Sequence, residues 1–488
     1  MRETYERVET RGPIGRKASA ALLVSACGSD SASEPERDDA AAAPDDTPFC
    51  ERFDEPCYPE PAWFARESEN YARTTEAPGM QASDPNFQVV WNTQSTANRL
   101  EYSARSAEDP HWSSGENACA SWAGPCTGDP FRYPGTDPFY DEIGAVTPVN
   151  FYDSEGARLS GRVWAPRDAT AGEQLPAVVI INGSVQAPET LYWWAAQQLV
   201  RNGYLVLTFD PRGQGRSDSQ TPDGQRGSNI NSVVFRRNLI DAIDFFYSTP
   251  DAPYPHNLPG SPGYEGDAGE AVTTPFNPIH DRFDRDRLGV AGHSLGATGV
   301  SVVQGEQPWP GTSQADNPID AVVAWDNLSL STSLDGVDVV PRVPAMGQAG
   351  DYFLAPAPLS EPPDLDEKRQ GFLQWQAAGV PSMQVNIRGG THYEWSLLPG
   401  FPATAWQGGD DEQGWSNPLA QHYTLAWFDR WLKQPGEPGY ETADARLLAD
   451  DDWRERLSVY YRSSRDFPLR DGQPARCGDL LRQCPDDR

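Results

Sequence analysis

Between residues 145 and 434, short apolar runs alternate with stretches of helical period, and few folds accommodate that alternation. Leu175–Ile181 is apolar throughout, as a strand covered on both faces must be. Residues 188–202 then carry Leu191, Ala195 and Leu199 at helical spacing, with Gly203 placed to end the helix. The pattern continues with a strand at 204–209, a helix at 233–247, a strand at 288–291, a helix at 296–304 and a strand at 321–325. Weaker strands at 343–348 and 383–387 precede a helix at 418–432, with Asn417 as its expected N-cap and Pro418 at its first position. Ahead of all these, 146–152 and 157–164 flank Asp153-Ser154-Glu155-Gly156, a hairpin signal. Strands separated by helices predict an α/β fold: a doubly wound, mostly parallel sheet with helices on both faces.

The remainder of the 488 residues is organised differently. Residues 49–144 are rich in Pro, Trp and acidic side chains, with a helix expected around 61–71 but no regular alternation, and read as an irregular N-terminal extension. Residues 435–488 read as a C-terminal extension. With 43 Gly and 45 Pro the chain should carry long loops, and the Pro/Gly-rich insertions at 249–280 and 355–366 are long enough to cover a site. The net charge of -32 excludes nucleic acid as a natural partner, since the surface repels phosphate. No apolar run approaches the length of a membrane span.

The seven cysteines divide into one and six. Residues 1–26 carry Arg2, Arg7, Arg11, Arg16 and Lys17, then a small and apolar stretch ending in Leu23-Val24-Ser25-Ala26-Cys27. This resembles a bacterial lipoprotein signal peptide, which implies cleavage before Cys27, lipidation of that cysteine, and an envelope protein anchored on the extracytoplasmic face. Residues 27–48, dominated by Ser, Ala, Asp and Glu, read as a flexible acidic tether. The other six fall as Cys50 and Cys57, Cys119 and Cys126, Cys477 and Cys484, three equal local spacings that favour three small disulfide loops. Each would stabilise by about 2.5 kcal/mol in the chain-entropy model. Such bonds persist in oxidising compartments, consistent with export. A metal site is disfavoured because there is no Cys-x-x-Cys and no His near any pair.

Chemistry concentrates at Gly292-His293-Ser294-Leu295-Gly296, which directly follows the strand 288–291 and opens a helix of small residues. The motif alone is common by chance; a strand before it and a helix after it are what give it weight, because that turn lifts a serine hydroxyl above the strand ends. Here the chain resembles the α/β-hydrolase superfamily, with exported bacterial esterases and cutinase-like and dienelactone-hydrolase-like members as its nearest types, over the element order from about 146 to 432. The resemblance implies a serine hydrolase that cleaves carboxylic esters through an acyl-enzyme, without metal or organic cofactor. Ser294 is then the nucleophile and a later histidine the base. Of the six histidines, His392 in Arg388-Gly389-Gly390-Thr391-His392-Tyr393 stands after a strand and before the last helix, where the superfamily places its base. His111, His256, His280 and His422 lie elsewhere, and His293 reads as a packed neighbour. For the acid, Asp351 occupies the usual place, with Asp326, one strand earlier, as the alternative. The oxyanion donors are expected to be the amides of Leu295 and of Ser184, the latter in Asn182-Gly183-Ser184.

The loop Asp210-Pro211-Arg212-Gly213-Gln214-Gly215-Arg216-Ser217 matches one that holds the serine turn in place in many members, and lacks the ending of a phosphate loop. Trp193-Trp194 reads as core packing. Two other readings share this sequence: a peptidase of prolyl-oligopeptidase or acyl-dipeptidyl type, and a surface binding protein that keeps the fold without turnover. The substrate is expected to be a small-molecule or polymeric ester, with membrane contact through the lipid anchor only; oligomeric state is not encoded legibly.

Overall fold

The computed structural model describes residues 49–83, isolated positions between 85 and 107, and 139–484 apart from 185–187, 228–230, 265–272, 327, 329–333, 354–358, 360 and 397–415. The expected signal peptide and tether, with Cys27, and the expected Cys119–Cys126 pair lie outside the described residues.

The architecture is α/β. One ten-stranded sheet runs in the order β1-β2-β4-β3-β5-β6-β7-β8-β9-β10. Its strands are β1 Gly144–Tyr152, β2 Arg158–Pro166, β3 Leu175–Ile181, β4 Leu205–Phe209, β5 Phe283–His293, β6 Ile319–Trp325, β7 Ala345–Gly350, β8 Ser382–Ile387, β9 Ser464–Pro468 and β10 Pro474–Cys477. The six central strands, β4 to β8 through β3, are parallel; antiparallel strands finish both edges. Every residue of β3, β4, β7 and β8 is buried, and in β3 and β4 this matches the nearly continuous apolar runs of their sequences.

Strand side chains alternate between two cores. Val178, Ile180, Val206, Ala291 and Val323 face helices α2 Trp193–Arg201 and α6 Asn417–Leu432. Val179, Ile181, Leu207, Val290 and Val322 face α3 Val234–Tyr247, α4 Leu295–Val303 and Trp375 of α5 Gln370–Ala377. The helix α1, Pro61–Ser83, precedes them and is longer than its sequence pattern suggests. Helix α6 starts at Asn417 with Ser416 in the N-cap position, one residue before the expected cap.

Two disulfides close as the spacing predicts, Cys50–Cys57 and Cys477–Cys484, with Cα atoms 5.3 and 4.7 Å apart. The second begins on β10, so the region expected as a C-terminal extension supplies two strands of the sheet itself. Residues near the N-terminal bridge dock on this same region: Trp63 is buried against Tyr460 and Tyr461, and Arg482 pairs with Glu55 at 2.7 Å.

Candidate active site

Ser294 stands alone between β5 and α4 at φ 57° and ψ −120°, a conformation that L-residues avoid at a cost of about 1–3 kcal/mol. The surroundings enforce it. Its N–H donates to the Trp325 carbonyl at the end of β6 (3.0 Å), and its carbonyl accepts from Thr298 N–H within α4 (3.1 Å). The turn after β3 packs directly on this elbow: a Cβ on Gly296 would lie 2.3 Å from the Asn182 carbonyl oxygen, and one on Gly183 would lie 3.2 Å from Ser294 Cβ. Glycine at both positions lets the two backbones approach.

His392 sits in the loop that leaves β8. Its N–H donates to the Phe353 carbonyl (3.0 Å), and its Nδ1–H donates to Asp326 Oδ2. Asp326 ends β6 in a left-handed turn of its own, φ 50°, fixed by a 2.7 Å bond from its N–H to the Gln348 carbonyl. Burial would raise the Asp326 carboxyl, but the hydrogen-bonded His392 imidazole outweighs it and holds the group below the usual carboxylate range. An imidazole whose Nδ1–H is engaged by a carboxylate keeps Nε2 as a proton acceptor.

The structure therefore joins His392 to Asp326 and not to Asp351. Asp351, at the end of β7, is turned away: its carboxylate accepts from Asn70 of α1 (2.7 Å), from the Gly389 N–H (2.8 Å) and from the Ser458 hydroxyl. Burial raises its carboxyl despite these three donors. It ties the histidine loop to α1 and to the C-terminal region. Asn70 and Ser458 carry no sequence signal for this role, since each lies in a stretch without a motif and more than 100 positions from Asp351.

Of the two expected oxyanion amides, Leu295 N–H directly follows the nucleophile, and Ser184 follows Gly183, which packs on Ser294. Leu295 is the first residue of α4, where an N–H has no intrahelical acceptor. Ser184 follows β3 and is partly exposed. The neighbouring amide, Gly183 N–H, is already committed to the Tyr192 hydroxyl at 3.0 Å. That hydroxyl lies 2.8 Å from His293 Nδ1, and His293 Nε2 lies 2.8 Å from the His392 carbonyl oxygen. The carbonyl can only accept, so Nε2 carries the proton and Tyr192 donates to Nδ1. A continuous chain, Gly183 to Tyr192 to His293 to His392, thus links the turn after β3 with the histidine loop. His293, read as a packed neighbour, is both packed and bonded; Tyr192 was hidden in an apolar run.

Burial drives the His293 imidazole down to about 3, and the His392 ring 4.6 Å away pushes the same way. The folded protein holds it neutral, whereas an unfolded chain protonates it near pH 6.5. Stability is therefore complete above that value and is lost as pH falls from about 6.5 toward about 3, by up to about 1.4 kcal/mol per pH unit from this group. Urea midpoints of His293→Gln should consequently fall less steeply than those of the wild type between about pH 6.5 and about pH 4.5. Parallel slopes would remove His293 as the source.

The loop after β4 has the structural role expected of it. Buried Asp210 accepts from Asn182 Nδ2 (3.1 Å), Glu189 N–H (2.7 Å) and Arg216 N–H (3.0 Å), and Gln214 donates to the Gly183 carbonyl (2.8 Å). Burial pushes the Asp210 carboxyl up to about 6. Trp193 and Trp194 are buried, and Trp194 Nε1 donates to the Trp395 carbonyl (3.0 Å), bracing the histidine loop.

No family model matches the chain. Over 103 residues, 21% of its length, it is 30% identical to Thiohydrolase aneE of Aspergillus aculeatus. The match spans 29% of that curated relative.

Proposed function

We propose that this protein is a serine hydrolase that cleaves carboxylic esters. The observation that carries the reading is Ser294, held at positive φ on a strand-to-helix turn, together with His392, whose ring lies 4.6 Å from that of the adjacent His293 and whose Nδ1–H is engaged by Asp326. The partial similarity to a protein named a thiohydrolase points the same way at the level of hydrolysis.

In this mechanism the Ser294 hydroxyl attacks the ester carbonyl carbon while His392 Nε2 takes its proton. The carbonyl oxygen gains negative charge and is held by the amides of Leu295 and Ser184. As the tetrahedral species collapses, the bond to the alcohol oxygen breaks and the Nε2 proton passes to that oxygen. Water then attacks the acyl-enzyme, giving its proton to Nε2, and release of the acid returns that proton to Ser294. Asp326 stabilises the imidazolium in both halves and orients its ring. The disulfides and the leader support an exported protein, anchored through Cys27 to the envelope and acting there on small or polymeric esters.

Incubation of the folded protein with a fluorophosphonate, followed by peptide mass spectrometry, tests the reading. One adduct is expected, on Ser294. A folded protein without it would be a binding protein on a hydrolase-like scaffold, and faster cleavage of anilides than of matched esters would favour a peptidase.

A further inference from the structure

Each of the three residues that follow β7, 351–353, is pinned by a backbone hydrogen bond. Asp351 N–H donates to Ile387 O (3.2 Å), Tyr352 N–H to Gly390 O (2.9 Å), and the Phe353 carbonyl accepts from His392 N–H (3.0 Å). The Tyr352 hydroxyl is also fixed, donating to Glu67 (2.9 Å) and accepting from Asn70 (3.1 Å). Yet the side chain at the end of this rigid segment, Phe353, is 59% exposed, with its ring centroid 5.1 Å from that of His392. Tyr393 flanks the same imidazole at 5.7 Å.

Which part of an ester would meet these rings follows from the chemistry. The imidazole that protonates a departing oxygen must be adjacent to it, so the group attached to that oxygen passes beside the imidazole. The acyl part stays bonded to Ser294 and directed toward the elbow. With Nδ1 occupied by Asp326, the substrate can approach His392 only from the Nε2 side. An aromatic ring anchored beside the imidazole and open to solvent is therefore a surface for the leaving group.

We propose that Phe353, with Tyr393, forms the leaving-group subsite and selects esters of aromatic or bulky apolar alcohols. This rests on the proposed esterase reading. An aryl or benzyl group covering Phe353 removes its exposed face from water and adds a ring–ring contact that a methyl group cannot make.

The test is the ratio of kcat/KM for phenyl acetate to that for methyl acetate, measured in wild type, Phe353→Ala and Phe353→Trp, with phenyl butyrate as the acyl control. The ratio should fall about tenfold in Phe353→Ala and stay near the wild-type value in Phe353→Trp. The butyrate-to-acetate ratio should move less than twofold, by the same logic that acyl contacts lie elsewhere. Because Phe353 is exposed, the alanine variant should fold, and its fluorophosphonate labelling rate reports an intact Ser294. An unmoved phenyl-to-methyl ratio in a protein that labels and turns over sinks the subsite alone, as does a larger change in the acyl ratio. If the wild type neither labels nor cleaves any ester, the esterase reading falls and takes the subsite with it.

Discussion

Ser294→Ala should lower kcat for any ester it cleaves by about six orders of magnitude, leaving only the residual rate that binding and oxyanion contacts provide. The size follows from the role: without the hydroxyl there is no acyl-enzyme, His392 has no proton to take from residue 294, and Asp326 has no imidazolium to stabilise. The fold should survive, because Ser294 is held through its backbone, by bonds to Trp325 and Thr298 that alanine can also make. Alanine bears the same φ of 57°, so the local strain remains and stability should change little. Initial rates on phenyl acetate, with circular dichroism as the folding control, decide the matter. A variant retaining a tenth of the wild-type rate would mean that another group is the nucleophile.

The second large effect separates two aspartates. Asp326→Asn should cost about 10⁴ in kcat, because an amide facing His392 Nδ1 favours the wrong tautomer and offers no charge to the imidazolium. Asp351→Asn should act on stability instead. Its carboxylate receives three donors, from Asn70, Gly389 and Ser458, and an amide cannot accept all of them. A loss of about 1–3 kcal/mol is expected for a buried donor left without its acceptor, with kcat per folded molecule within about tenfold of wild type, a loosened loop costing far less than a lost partner. Measuring kcat and urea midpoints for both variants separates the roles. Equal losses of kcat would return Asp351 to the acid position.

Much of this was legible in the sequence because the relevant signals are local. Strands β3 and β4 announce themselves by nearly continuous apolar runs, since both faces are covered, and Gly292-His293-Ser294-Leu295-Gly296 is a turn whose residues specify its own geometry. His392 could be singled out because only six histidines exist. What stayed hidden depends on distant pairings. Asp326 and Asp351 both end strands that precede the histidine strand, and nothing in one dimension reveals which carboxylate faces inward. The choice is made by Asn70 and Ser458 occupying one of them. Strands β9 and β10 were missed because Ser464–Pro468 and Pro474–Cys477 are only five and four residues long and carry charged and proline residues, too little sequence to show a period. The bonded chain through Tyr192 and His293 was missed because a tyrosine between Leu191 and Trp193 looks like any other core residue.

The clamp on Asp351 also orders events in time. It gathers Asn70, 281 positions upstream, and Ser458, 107 positions downstream, around one loop amide. The contact to Asn70 spans more chain than any strand pairing of the sheet, so its loop-closure entropy is the largest, and it is expected to close after the strands have paired. The loop carrying His392 is therefore expected to gain its final anchor only when Asn70 of α1 has docked. A nascent or partly folded molecule would hold a formed sheet and a formed elbow well before it held a positioned base. By the same logic, a chain shortened to begin at residue 145 would keep the sheet and lose the donor that Asn70 provides.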